Sequence, residues 1–315
     1  AGARELRLRA RRDASGQDED AALAAKALLF TILPIVFSQT VYQIGYTIDD
    51  MVFSRFMNTT TLNADAITSM QGVFNTQYNQ MVNLPVSIAT AMAMTLMPSI
   101  VASHVRRDRK EVRHKITSTV KFNMAIANPS AHRLIPSLGA YHDLAAGLLR
   151  AGSSAAVFYA LSTITTSILQ GTNHMAVPVL HSAVSLAIHI GVVVGMLYAG
   201  CGVWALLVGN VVFPLIVCTL NCRSVARLLR HRWNAASIFV IPFLCAAVMG
   251  LACWGVYALL LRLTGVMVLA FIVAFVVAVA VYALALLKSH CFSKRELREL
   301  PMGGKLLRLA IRLHL

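Results

Sequence analysis

Long apolar blocks, each about the length that crosses a bilayer and separated by short basic segments, constrain this chain more than any other feature. A membrane-crossing helix needs about 20 mainly apolar residues to span the hydrocarbon core. Eight stretches meet that need: Ala27–Phe53, Gln71–Ser103, Ile116–Leu138, Ser153–Gln170, Pro178–Ala199, Val203–Cys222, Ser237–Leu261 and Gly265–Leu287. The third is the weakest. In lipid every backbone polar group must be satisfied internally, and uninterrupted blocks of this length do so as helices. The expected fold class is therefore all-α, a polytopic integral membrane protein with about eight transmembrane helices. Composition agrees: the chain is 57% hydrophobic and 13% charged, against about 45–50% and about 25% in soluble domains.

The net charge of +15 raises nucleic acid as a partner, but its distribution argues against one. The cations sit between apolar blocks, without aromatic interleaving or a reader motif. With the amino terminus inside, 24 of the 28 lysines and arginines fall in inner segments. Only Arg55, Arg133, Arg150 and Arg262 lie toward the outside. That asymmetry follows the positive-inside rule and favours an even number of spans. Both termini are expected in the cytoplasm, and the expected location is a bacterial plasma membrane. Residues 1–26 then read as a basic cytoplasmic loop, 27–288 as the transmembrane domain and 289–315 as a basic amphipathic tail lying on anionic lipid. The first 20 residues carry no initiator Met and no apolar h-region, so they read as a connecting loop of something longer.

The six cysteines form no CxxC pair and read as small apolar residues rather than a disulfide or zinc framework. HExxH, GxSxG, Walker and GxGxxG patterns are absent. No catalytic, metal-binding or cofactor-binding residue is expected, and the chain is not expected to be an enzyme.

Polar residues within the spans carry the functional reading, because charge at mid-membrane costs about 2.5–3.5 kcal/mol on insertion scales. Asp49 and Asp50 are the carboxylates that fall inside an apolar block. Adjacent on a helix, they point about 100° apart and face different surroundings. Asp49 is the one expected to line a cavity. In the second span Gln71, Asn75, Asn79 and Asn83 recur every four residues as one polar stripe, with Pro85 and Pro98 beyond. In the fourth span Ser162, Thr166 and Gln170 share a face, although hydroxyls there often bond only their own backbone. His181, Ser185 and His189 share a face of the fifth, and His189 is the expected cavity residue. Gly191 and Gly195 of the same span have the spacing that lets helices approach closely.

Several motifs follow one another in a recognisable order. Leu33-Pro34-Ile35 opens the first span and Ile48-Asp49 closes it. Asn83-Leu84-Pro85 and Leu96-Met97-Pro98-Ser99-Ile100 follow in the second. Ser167-Ile168-Leu169-Gln170-Gly171 ends the fourth span before Pro178, and Arg295 to Gly303 precedes the terminal basic helix. Together they resemble the stage V sporulation protein B and lipid II flippase-like branch of the multidrug/oligosaccharidyl-lipid/polysaccharide exporter superfamily. The resemblance implies the second lobe plus two extra helices of a fourteen-helix transporter, with an amino-terminal lobe of the same protein as partner. It implies a flippase or exporter of an undecaprenyl-pyrophosphate-linked oligosaccharide or peptidoglycan precursor, working by alternating access. Membrane lipid and the lipid-linked sugar are the other expected partners. The chain departs from the pattern in a shortened third span containing Arg133, and in His189, where many relatives carry lysine. A cation-coupled multidrug exporter of the same superfamily and a non-transporting scaffold in a cell-wall assembly complex are the alternatives.

Overall fold

The computed structural model describes residues 21–60, 63–127, 142–230, 233 and 240–289. Among the described residues there is no strand, and the helices are α1 (Ala21–Met57), α2 (Ala64–Gly72), α3 (Asn79–Val105), α4 (Arg109–Ala127), α5 (His142–Gly171), α6 (Ala176–Tyr198), α7 (Val203–Leu228), α8 (Ile241–Thr264) and α9 (Met267–Lys288). A six-residue π-helical segment, Val73–Tyr78, joins α2 to α3 into one continuous rod.

Six of these rods are long and apolar enough to cross a membrane: Ala64–Val105, Asp143–Gly171, Ala176–Tyr198, Val203–Leu228, Ile241–Thr264 and Val268–Leu286. The protein is an all-α polytopic membrane protein. Large apolar side chains such as Leu251, Leu263 and Val268 stand exposed on the bundle surface. That is costly in water and fitting in lipid. Two of the eight expected spans are not among the six. The first lies inside α1. The third overlaps α4, whose opening turns carry Arg109, Lys110, Glu111, Arg113 and Lys115, and its remainder lies outside the described residues. The helices carrying the second and fourth expected spans begin earlier than their apolar blocks, at Ala64 and His142. A helix that leaves the hydrocarbon continues into polar ends, where Asp65 and Asp143 occupy first turns and complement the helix dipole.

Contacts give the direction of each rod. Asp49 meets His189 and Gly45 meets Leu186, so α1 and α6 run parallel. Gly147 meets Trp204, Gly152 meets Leu207 and Thr166 meets Asn221, so α5 and α7 run parallel. Tyr78 meets Gly152 and Met97 meets Gly171, which aligns α3 with α5. The α6–α7 turn reverses the chain through Gly200 and Gly202 at φ of 79° and 54°, conformations that a Cβ resists. We call the end where α1 begins the near end and the other the far end. Arg106, Arg107, Arg109, Arg223, Arg227 and Arg230 gather at the near end.

The core divides into two clusters along the bundle. Phe53, Phe74, Tyr78, Tyr159, Leu206 and Phe213 belong to the one nearer the far end. Ile100, Ile116, Leu161, Ile164, Ile168 and Val225 belong to the other. The α8–α9 hairpin packs mainly on itself and touches the rest of the bundle chiefly through α4. Among the described residues no helix packs closely on the Gly191–Gly195 stripe: both glycines are exposed, and a Cβ on either meets nothing within 4 Å. The close approach falls on α7 instead, where a Cβ on Gly209 would stand 2.7 Å from His189 Cε1. Cys201, Cys218, Cys222, Cys245 and Cys253 are free thiols. Residues 1–20, the tail from 290 and Arg133 lie outside the described residues.

Candidate functional site

The site assembles where α1, the π segment, α5, α6 and α7 converge. Asp49 and His189 are buried at 5% and 3% exposure, and Nε2 of His189 lies 2.7 Å from Asp49 Oδ1. The other ring nitrogen, Nδ1, is 2.8 Å from the Gly209 carbonyl. A carbonyl only accepts, so Nδ1 carries a proton and donates. A second proton then lies between Nε2 and the carboxylate. The pair is either aspartate with imidazolium or carboxylic acid with neutral imidazole, and in both forms it holds one transferable proton.

Local sequence lets α6 come close to α7 at that carbonyl. Gly209 has no side chain to hold α6 away, and Pro214 sits inside α7. Proline lacks the N–H that would bond the carbonyl four residues earlier, and its ring crowds that turn. Backbone oxygens on either side of this turn accept bonds from α6: Gly209 from His189 and Phe213 from Ser185 Oγ at 2.7 Å. The face of His181, Ser185 and His189 is thus the face that α7 reads.

Asp50 faces elsewhere, as the 100° rule requires. Its Oδ1 accepts from Gln71 Nε2 at 2.8 Å and from Asn75 Nδ2 at 2.9 Å. Asn79 Nδ2 donates to Asn75 Oδ1 at 3.1 Å, and Asn210 Nδ2 of α7 donates to Asn79 Oδ1 at 3.4 Å. The π segment supports this chain of amides. Its wider i→i+5 winding takes more residues per turn than an α-helix and offsets the drift of a four-residue repeat, so successive amides stay on one side. Tyr78 closes the network, its hydroxyl donating to Asn210 Oδ1 at 3.2 Å. Between these groups lies a small cavity of about 10 Å³, room for about one water, lined by Tyr42, Gly45, Tyr46, Asp49, Tyr159, His189, Asn210 and Phe213.

Of the expected residues, the structure brings Asp49, Gln71, Asn75, Asn79 and His189 into two linked networks. Two stand apart. Asn83 is exposed, because the helix past the π segment is α-helical again and the repeat drifts off the bundle face. Gln170 lies near the other end of α5, its Nε2 buried without a partner. The α5 hydroxyls behave as expected: Ser162, Thr163, Thr165 and Ser167 donate to their own helix. Tyr46, Tyr78, Tyr159 and Asn210 were not singled out by the sequence. Asn210 was legible, since it and Asn221 are the amides of α7 and lie three turns apart on one face.

Among the described residues no group of three or more His, Cys, Asp or Glu side chains could hold a metal ion. Comparison with protein-family models, with curated proteins and with solved structures finds no match to this chain.

Proposed function

We propose that this chain is the second lobe, with two extra helices, of a membrane flippase that moves an undecaprenyl-pyrophosphate-linked sugar or peptidoglycan precursor between leaflets. The observation that carries the transport reading is the buried Asp49–His189 pair, which ties α1 to α6 and α7 inside an apolar bundle. An ionisable pair at membrane depth is costly and characteristically marks a transport pathway or relay. The substrate class comes from the ordered motifs that resemble the sporulation protein B and lipid II flippase-like branch. On this reading α1 and an extended α4 complete eight spans, the basic near end faces the cytoplasm of a bacterial cell, and an amino-terminal lobe completes the cavity. The amide chain from Gln71 to Asn210 then forms part of the cavity wall.

The test is translocation of a fluorescent undecaprenyl-pyrophosphate sugar by the whole protein in vesicles. Asp49→Asn and His189→Gln are expected to abolish it, and wild-type rates in both variants refute the reading. The exchangeable proton of the pair also favours a second reading, a cation-coupled drug exporter of the same superfamily. Efflux of small organic cations without sugar-lipid movement would select it.

A further inference from the structure

A second set of buried polar groups lies toward the near end, and the proposed function leaves it unused. His181 precedes His189 by about two turns of α6. Its Nδ1 is 2.7 Å from Asn221 Oδ1 of α7, and Asn221 Nδ2 donates to Thr166 Oγ1 of α5 at 2.8 Å. Because Asn221 uses its NH2 on Thr166, its oxygen faces the ring. Nδ1 of His181 must therefore donate, which leaves Nε2 as the accepting nitrogen of the ring. Tyr42 of α1 directs its hydroxyl toward Ser162, Ser182 and Thr166. Four helices contribute to this cluster.

The cluster has unmet hydrogen-bonding capacity. Ser38 Oγ, Ser182 Oγ and Gln170 Nε2 are buried without a bonded protein partner. Ser38 and Ser182 are at 0% exposure, and Tyr42 lies beside Ser182 without closing a bond of good geometry. Buried polar atoms of this kind are the groups that ordered water characteristically satisfies. Toward the far end, the Tyr46 hydroxyl donates to that of Tyr159 at 3.3 Å, one turn from Asp49. The rings of Tyr42 and Tyr159 lie 6.5 Å apart. The cavity touching Tyr42, Tyr46, Asp49 and Tyr159 has room for about one water at the break between the two sets.

We propose that His181 and Tyr42, joined by ordered water, form a proton relay that connects the Asp49–His189 pair to the near end of the bundle. Nε2 of His181 accepts a proton from near-end water and releases it to the water beside Ser182. The Tyr42 hydroxyl takes that proton and gives up its own to the cavity water, which passes one to Asp49; the pair gives up the proton it already holds toward the far end, so its charge is unchanged. Each hydroxyl gains one proton and loses one, so no charge remains on the path. Asn221 and Thr166 are positioning residues that fix the His181 ring. The titratable groups at these levels of the packed helices are Tyr42, Tyr46, Asp49 and Asp50 of α1, Tyr159 of α5, His181 and His189 of α6, and Cys218 and Cys222 of α7, while Lys26, Arg55, His142, Asp143, Arg150, Tyr198, Arg223 and Arg227 lie toward the helix ends. No Lys or Arg of these four helices lies between the levels of the two histidines. The inference rests on the transport reading only for what the proton is used for.

The test measures proton uptake into phosphatidylethanolamine–phosphatidylglycerol vesicles carrying the full chain and an enclosed pH-sensitive dye, with potassium and valinomycin clamping the voltage. Uptake is expected to exceed that of protein-free vesicles and to fall about tenfold, one decade of rate, in Tyr42→Phe and in His181→Asn. Tyr42→Phe keeps the ring contacts and removes only the hydroxyl. Equal uptake in wild type and Tyr42→Phe overturns the proposal, as does wild-type uptake at the protein-free level. Histidine nitrogen NMR of the wild-type chain gives a second readout if His181→Asn does not fold. The His181 ring must show Nδ1 protonated and Nε2 in exchange with water, and an Nε2 closed to water overturns the relay. Loss of sugar-lipid movement in the whole protein with proton uptake intact counts against the proposed function alone.

Discussion

Removing one partner of the Asp49–His189 pair should cost far more than removing both. In Asp49→Ala, His189 keeps its bond to Gly209 but leaves Nε2 facing a void at 3% exposure. In His189→Ala, a carboxylate at 5% exposure loses its close partner at 2.7 Å. Breaking a buried pair from one side typically costs about 3–5 kcal/mol, because an uncompensated polar or charged group stays behind. Replacing both with apolar groups of similar volume is often neutral or stabilising by about 1–4 kcal/mol. The expected order of stability is therefore Asp49→Leu/His189→Leu at or above wild type, with each single alanine variant well below. The assay is reversible unfolding of the chain in mixed detergent micelles, followed by circular dichroism, with all variants and the double alanine compared as a cycle. The two single losses should exceed the double loss by about 2 kcal/mol, within the range for contacting residues. Additivity to within about 0.5 kcal/mol, the behaviour of independent sites, refutes the claim that the two groups form one buried unit. The double leucine variant should be stable and inactive in translocation, which separates the role of the pair in transport from any role in folding.

Gly209→Ala should destabilise the chain by about 1–3 kcal/mol in the same unfolding assay, because its Cβ meets His189 and Val193; Gly191→Ala and Gly195→Ala, open to the surface, should stay within about 0.5 kcal/mol. Tyr78→Phe removes the hydroxyl bonded to Asn210 and the Gly152 carbonyl and should cost about 1 kcal/mol, read as a lower unfolding midpoint. Asn75→Ala breaks the bridge between Asp50 and Asn79 and should reduce sugar-lipid movement in the whole protein, whereas Asn83→Ala, on the exposed side, should leave it at the wild-type rate.

The helices were legible because the hydrocarbon core sets a length that shows directly as apolar blocks, as in Val203–Leu228. Helix ends were less so: α2 starts at Ala64 in polar sequence, where the Asn63 cap rather than hydropathy sets the boundary. Asp49 and His189 could be singled out one at a time, since each is an ionisable group in an apolar block. That they meet was not legible, because no local pattern records the register of α1 against α6. The separation of Asn83 from Asn79 was also hidden, since a strict four-residue repeat does not show where a helix changes from π to α winding. The Gly191–Gly195 spacing misled for a related reason: spacing identifies a face but not whether another helix covers it. Tyrosines escaped notice because aromatic residues in a span look apolar until their hydroxyls are placed.

The two neighbouring aspartates face different prospects while the chain is being made. Gln71 and Asn75 follow Asp50 by 21 and 25 residues and emerge almost together with it. His189 follows Asp49 by 140 residues, so at ordinary translation rates Asp49 waits on the order of ten seconds for its partner. If α1 is one of eight spans, as the proposed function has it, it carries until then an acid with no counterpart, and its insertion is delayed, shielded by the translocation machinery or made as the neutral acid. Settling of the first helix is thereby tied to synthesis of the sixth, and a nascent chain arrested before His189 should leave α1 accessible from the aqueous side.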